Sequence, residues 1–216
     1  MPDPWSKDKY GRYIDNIIGF DLLDNELNYL YKEFPNNKVY NIAVYDKEEE
    51  KDFYICKRSR VSSLFKPNIP LLIPYIKYLN IIKKPKIYSI EKYDIKKIEK
   101  VKCYRLDKII NNININFDFI KIDTEGADFQ VIKSLGRYLD TQIVGIYTEL
   151  YFKEMYKGII LFKEVDKYLN KHNFYKIKKI GGVKKYWSNF LYIREDISKQ
   201  KQINLIKKAY KIMEEE

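Results

Sequence analysis

The feature that most constrains this chain is an apolar strand that ends in an acid, a tight turn, and an amphipathic helix. It runs from Phe117 to Leu135 as Phe-Asp-Phe-Ile-Lys-Ile-Asp-Thr-Glu-Gly-Ala-Asp-Phe-Gln-Val-Ile-Lys-Ser-Leu. Asp123 closes the strand, and Thr124-Glu125-Gly126 forms the turn. Ala127, Val131, Ile132, Leu135 and Leu139 then share one helix side. Such a unit carries a carboxylate to the carboxyl end of a parallel sheet, where open α/β folds bind their ligands.

The rest of the chain alternates in the same style. Residues 1–14 read as loop, and Asn16 to Phe20 is a buried-type strand that ends at Asp21. A helix from Asp24 to Phe34 follows, with Asp24 as N-cap and Leu23, Leu27, Leu30, Tyr31 and Phe34 on one face. Lys38 to Val44 is the next strand, closing at Asp46, which makes a right-handed βαβ unit. Lys51 to Cys56 reads as extended and Ser62-Ser63-Leu64 as a loop. Residues 66–100 hold a proline-rich apolar insert and then a Lys/Glu-studded segment, read as extended with turns. Val101 to Leu106 is a strand and Asp107 caps a short helix. Gln142 to Glu149 is a strand that again ends in an acid, and Leu161 to Lys171 is a helix. Tyr175 to Ile180 and Tyr186 to Arg194 form an antiparallel hairpin around Gly181-Gly182. The expected organisation is one α/β domain over residues 1–198 and a C-terminal amphipathic helix over 199–216, with Ile203, Ile206, Tyr210 and Met213 at helical spacing.

Composition excludes several classes. With 45% hydrophobic and 16% aromatic residues over 216 positions, the chain is not disordered. No run approaches the roughly 18 apolar residues of a membrane helix, since Pro70, Pro74 and Lys77 interrupt Ile69 to Ile82. The N-terminus has no apolar signal core, and Cys56 and Cys103 are too few for a disulfide scaffold or a zinc site. A cytoplasmic protein is the expectation. The net charge of +11 invites a nucleic-acid reading. Its lysines are interspersed with acids and no arginine-rich or aromatic-plus-arginine motif occurs, so no specific nucleic-acid partner is expected.

The chemistry lies in acids at strand ends. Asp21, Asp123 and Glu149 each close a strand, and in a doubly wound sheet such ends meet at one crevice. Asp21, one βα unit in, is placed to accept the ribose hydroxyls of a nucleotide-like cofactor, and Asp46 to border its adenine. Each could instead be a solvated turn cap. Glu125 and Asp128 flank Gly126 at a helix start, where negative charge suits the helix dipole. The sharper account makes Glu125 a general base for a substrate hydroxyl. His172, the single histidine, sits near a helix C-terminus and reads as structural, which removes Ser-His and Cys-His triads and His-based metal sites. An oxygen-only Mg²⁺ or Mn²⁺ site from Asp123, Glu125 and Glu149 has no supporting signal, so no metal is expected.

Residues 119–128, Phe-Ile-Lys-Ile-Asp-Thr-Glu-Gly-Ala-Asp, resemble the hallmark segment of the FkbM-type family of S-adenosylmethionine-dependent methyltransferases. Gly19-Phe20-Asp21, Asn41-Ile42-Ala43-Val44 with Asp46, Ser62-Ser63-Leu64, Arg105-Leu106-Asp107, Thr148-Glu149 through Tyr156-Lys157-Gly158, and Asn173-Phe174 fall in family order. The resemblance covers roughly residues 15–194. It implies a Rossmann-like class I methyltransferase sheet with a C-terminal antiparallel hairpin, S-adenosylmethionine as cofactor, and methyl transfer to a hydroxyl of a sugar, lipid-linked or small natural-product acceptor. Asp123 and Glu125 would lie at the reaction end, with Glu125 or Glu149 as base. One element departs from the pattern. Such enzymes begin with a strand and an Asp-x-Gly-x-x-x-Gly loop, and glycines 11, 19, 126, 136, 145, 158, 181 and 182 form none. The expectation is an N-terminally truncated domain that lacks its first, central strand. The rivals are a non-catalytic remnant or binding module of this fold, and a basic RNA-binding protein.

Overall fold

The computed structural model describes residues 17–23, 27, 28, 32, 38–82, 87–113, 116–183, 185–196 and 199–209. Its strands form three hydrogen-bonded sheets in a mixed α/β arrangement. β1 (Ile18–Asp21) and β2 (Lys38–Asn41) pair in parallel, as a βαβ unit requires. Between them Leu27, Asn28 and Lys32 are helical, whereas the expected cap Asp24 and the apolar Leu30, Tyr31 and Phe34 lie outside the described residues. The expected strand Lys38 to Val44 is two strands. After Ile42, β3 (Ala43–Val44) leaves β1 and pairs in parallel with β5 (Ile95–Tyr104), which is also antiparallel to β4 (Glu50–Cys56). β5 therefore starts well before Val101. Its first half is a solvent-facing ribbon in which Lys100 bonds Asp52 at 2.8 Å, and charged cross-strand pairs mask the apolar alternation there.

The proline-rich insert is a correction. Residues Ile69–Ile82 form α1, with Leu72, Tyr75, Ile76 and Leu79 buried. Pro70 falls in the first turn, where its missing N–H is no loss. Pro74 lies inside the helix and deprives the Pro70 carbonyl of its usual donor, yet both prolines are on the exposed side, so water can reach that carbonyl. The sequence reading assigned no helix to this insert, although its buried positions keep helical spacing.

The remaining elements frame the four-stranded sheet β6-β7-β9-β8. They are α2 (Leu106–Ile113), β6 (Phe119–Ile122), α3 (Asp128–Ser134), α4 (Tyr138–Thr141), β7 (Gly145–Tyr151), α5 (Phe162–Lys171), β8 (Tyr175–Val183), β9 (Trp187–Ile193) and α6 (Gln200–Ala209). β6 and β7 are parallel, and the hairpin adds β9 antiparallel to β7. The helix expected in one piece after the turn breaks at Gly136, whose φ of +52° a side chain would resist. His172 caps α5 with Nδ1 2.6 Å from Asp140, a structural role.

β7 is buried at every residue, as suits a strand covered on both faces. Ile146 and Leu150 join Val131, Ile132 and Leu135 of α3, Val165 and Leu169 of α5, and Phe190 and Tyr192 of β9 in the largest core cluster. On the opposite face Tyr147 packs with Val144, Leu191, Ile193 and the α6 residues Ile203 and Ile206. Gly145 lets that layer close. A Cβ there would stand 2.7 Å from Phe119 and 2.9 Å from Ile206. Further along the same face, Tyr151 enters a third cluster with Leu72, Tyr75, Ile76 and Leu79 of α1, so α1 roofs the end of β7 where the acids gather.

Replacing the exposed Pro74 by Ala restores the lost helix hydrogen bond without disturbing the buried face. Urea unfolding of Pro74→Ala should show a gain of about 1–3 kcal/mol, and a loss would mean the proline is needed for the path of α1.

Candidate active site

The site grows from the turn after β6. Thr124 and Glu125 leave the strand, and Glu125 adopts φ +52°, a left-handed conformation that costs a non-glycine residue roughly 1–2 kcal/mol. Gly126 follows at φ +107°, and a Cβ on it would meet Ile159 at 2.7 Å. Only glycine fits. The turn is fixed by Asp128, which is 2% exposed. Its Oδ2 accepts from the Thr124 hydroxyl at 2.7 Å and the Thr124 N–H at 3.3 Å. Its Oδ1 accepts from the Thr148 hydroxyl at 2.8 Å and the Glu149 N–H at 3.1 Å. One carboxylate thus ties the β6 turn to β7.

That tie brings three of the expected acids together. One carboxylate oxygen from each of Asp123, Glu125 and Glu149 lies within 4.8 Å of the others. Asp123 is exposed, with Lys121 Nζ at 3.6 Å, whereas Glu149 is buried. Glu125 is partly buried under two tyrosines. Its Oε2 accepts from the Tyr156 hydroxyl at 2.7 Å and lies 2.9 Å from the Tyr151 hydroxyl, and Ser63 Oγ donates to its backbone carbonyl at 2.8 Å. Tyr151 Oη is also 2.6 Å from Glu149 Oε1. The spacing of the three acids would suit a hard cation, but two of the three carboxylates already hold tyrosine hydroxyls.

Proton counting decides the state of this pair. A phenol carries one proton, so Tyr151 cannot donate fully to both carboxylates. At neutral pH one acid must be protonated and donate to Tyr151, which passes its own hydrogen to the other. Burial pushes Glu149 well above the usual carboxylate range, and the nearby Glu125 and Asp123 charges push it further. Burial and the Asp123 charge raise Glu125 to about 7, against the opposing pull of Tyr156 and Tyr151. Glu149 therefore holds the proton and Glu125 is the acid poised to exchange one near neutrality. Burial also lifts Asp128 to about 6, opposed by the Thr124 and Thr148 hydroxyls. Tyr151 and Tyr156 are raised well above the phenol range by burial and stay protonated.

Among the described residues, no further acid joins the group. Asp21 closes β1, where its Oδ1 accepts from the Leu23 N–H at 2.8 Å. Asp46 is held by Lys133 Nζ at 2.7 Å, with its carbonyl accepting from Arg105 Nη1 at 2.6 Å. Residues 7–175 match the family model of the methyltransferase FkbM domain. The chain belongs to that family. The matched span includes β1 to α5 and all three clustered acids of this FkbM domain. No curated protein and no solved structure matches the chain. Among the described residues no helix is long and apolar enough to cross a membrane.

Sequence reasoning missed Tyr151, Tyr156 and the true role of Asp128. The alternation Glu149-Leu-Tyr151 places the first pair on one strand face, which is a usable signal. Tyr156 comes from a loop that only tertiary packing brings under Glu125. Asp128 does stand in the first turn of α3, where negative charge suits the helix dipole, but its burial among four donors is what the sequence did not show.

Two neighbouring acid-to-amide changes should act in opposite directions. Between roughly pH 4.5 and 7 folded Glu125 keeps a proton that the unfolded chain has lost, so stability falls as pH rises through that window. Glu125→Gln removes this penalty and should be more stable than the parent at pH 8 by about 1–3 kcal/mol, with a flatter pH dependence. Asp128→Asn turns an amide NH₂ toward two of the four donors and should cost about 1–3 kcal/mol. Urea melts at pH 5 and pH 8 measure both.

Proposed function

We propose that this FkbM domain catalyses S-adenosylmethionine-dependent O-methylation of a hydroxyl on a small-molecule, glycan or lipid-linked acceptor, with Glu125 as general base. The observation that carries the reading is the convergence of Asp123, Glu125 and Glu149, one of them titrating near neutrality, at the ends of two parallel strands. Open α/β folds place ligands at such ends. The donor set also suits this cofactor. In a protein of net charge +11, the acidic cluster with Glu125 as carboxylate is a local negative site that favours a cationic sulfonium group. Asp21, at the carboxyl end of β1, is the acid assigned to the ribose hydroxyls, and Asp46, held at the β3–α3 side by Lys133, is assigned to the adenine border.

S-adenosylmethionine, when bound, supplies an electrophilic methyl carbon on positively charged sulfur. As carboxylate, Glu125 would accept the proton of the acceptor hydroxyl as its oxygen took the methyl group, and the cofactor would leave as the neutral thioether. Tyr156 and Tyr151 hold that carboxylate in place through their hydroxyls. Glu149, protonated and hydrogen-bonded to Tyr151, keeps a second negative charge out of the buried cluster. Asp123 lies exposed at the strand end beside these groups, with Lys121 Nζ 3.6 Å from its carboxylate. No metal is assigned to the reaction. Positioning of the hydroxyl in line with the methyl supplies much of the acceleration, and proton removal contributes on the order of 10²–10⁴-fold.

With labelled S-adenosylmethionine and a panel of hydroxylated acceptors, kcat/KM should rise with pH through about 7, the value of Glu125. Glu125→Gln should lower kcat by roughly 10²–10⁴-fold while cofactor affinity, read by calorimetry, changes little. Asp21→Ala should weaken cofactor binding about tenfold or more. Full turnover by Glu125→Gln would remove the base assignment, and absence of cofactor binding to the parent would favour a non-catalytic domain of the same fold.

A further inference from the structure

α1 is apolar all round, a pattern that normally marks a helix buried on every side. Only one face is buried. Leu72, Tyr75, Ile76 and Leu79 pack under it, but Ile69 is 38% exposed, Ile73 42%, Ile81 71% and Ile82 48%. Pro70 and Pro74 share the exposed side, and Lys77 is its one charge. Ile87, 92% exposed, is the most exposed of the large hydrophobics among the described residues. It lies near the same helix, because Asn80 bonds both the N–H of the adjacent Tyr88 at 2.6 Å and its carbonyl at 2.9 Å, which holds Tyr88 against α1. Five of the eight exposed large hydrophobics among the described residues lie on α1 or within a few residues of it. Chance scatter does not concentrate them so.

Charge identifies what covers this face. Lys66 precedes the helix, Lys77 lies on it, and the sequence between Ile82 and Ile87 reads Lys-Lys-Pro-Lys. An apolar ridge that carries the exposed Lys77, follows the exposed Lys66 and is continued in sequence by three more lysines, on a protein of net charge +11, is complementary to an anionic lipid surface: isoleucines enter the acyl boundary and ammonium groups remain at the headgroups. At 14 residues α1 is too short to span a bilayer and has the length of an interfacial segment. We propose that the outer face of α1, with Ile73, Ile81, Ile82 and Ile87, seats this protein on an anionic membrane surface. A second copy of the chain is the competing occupant. Its contact would bring Lys77 of both copies into one two-fold interface, with no acid on α1 to neutralise them. The proposal stands independently of the methyl-transfer reading.

Flotation of the purified full-length chain with phosphatidylcholine vesicles, with and without phosphatidylglycerol, is the test. Binding should require phosphatidylglycerol and weaken as salt rises. The double variant Ile81→Asp/Ile87→Asp should partition at least about tenfold more weakly, with an unchanged circular dichroism spectrum because both side chains are exposed. Lys77→Glu should lower binding to the phosphatidylglycerol-containing vesicles. Failure of the parent to float with anionic vesicles would overturn the proposal, as would equal flotation of parent and double variant. A concentration-dependent dimer in sedimentation velocity, lost in the double variant while no vesicle binding occurs, would assign the face to self-association instead.

Discussion

Four donors converge on the Asp128 carboxylate, and the geometry of the site depends on that knot. Thr124 and Glu125 belong to the end of β6, and Thr148 and Glu149 to β7, so a single buried acid holds two parallel strand ends at a fixed separation. Without it the left-handed Glu125 and the extended Glu149 would have no common reference. Asp128 is a structural group beside the clustered acids. Its buried charge is tolerated because every lone pair faces a donor, in contrast to the two glutamates beside it.

Glu125 and Glu149 are arranged against stability. Both are pulled from water, both face a third acid, and one sits in a backbone conformation that opposes its own Cβ. Proteins keep such features where chemistry uses them. The opposing contributions are visible around the site: a fully buried β7, an α3/α5 layer on one face, and α6 closing over Gly145 on the other. Tyr151 and Tyr156 moderate the conflict by supplying hydroxyls to the carboxylates while their rings join the apolar cluster under α1. The same helix that roofs the acids also turns an apolar back to the outside. Site and outer surface are thus two faces of one element.

Legibility from sequence followed the range of the interactions. The strand-acid-turn-helix unit, the parallel β1/β2 pair, the β8/β9 hairpin and the inward residues Val131, Ile132, Leu135, Val165 and Leu169 were readable because each rests on local periodicity or turn chemistry. α1 was not, because proline statistics describe an average helix position and not one whose freed carbonyl faces water. The split of Lys38 to Val44 was hidden as well. A strand changes sheets without any local signal when its two halves find different partners.

By itself the sequence determined which acids stand at strand ends, which glycines permit the turn after β6, and which family the chain resembles, since these depend on neighbours along the chain. Tertiary structure alone decided that Asp123, Glu125 and Glu149 meet, that Asp128 serves as their anchor, and that Tyr156 reaches back to Glu125. A carboxylate's pKa is set by what removes water from it and what charge lies within a few ångströms. Those neighbours come from segments far apart in sequence, so only the folded chain fixes which acid holds the proton.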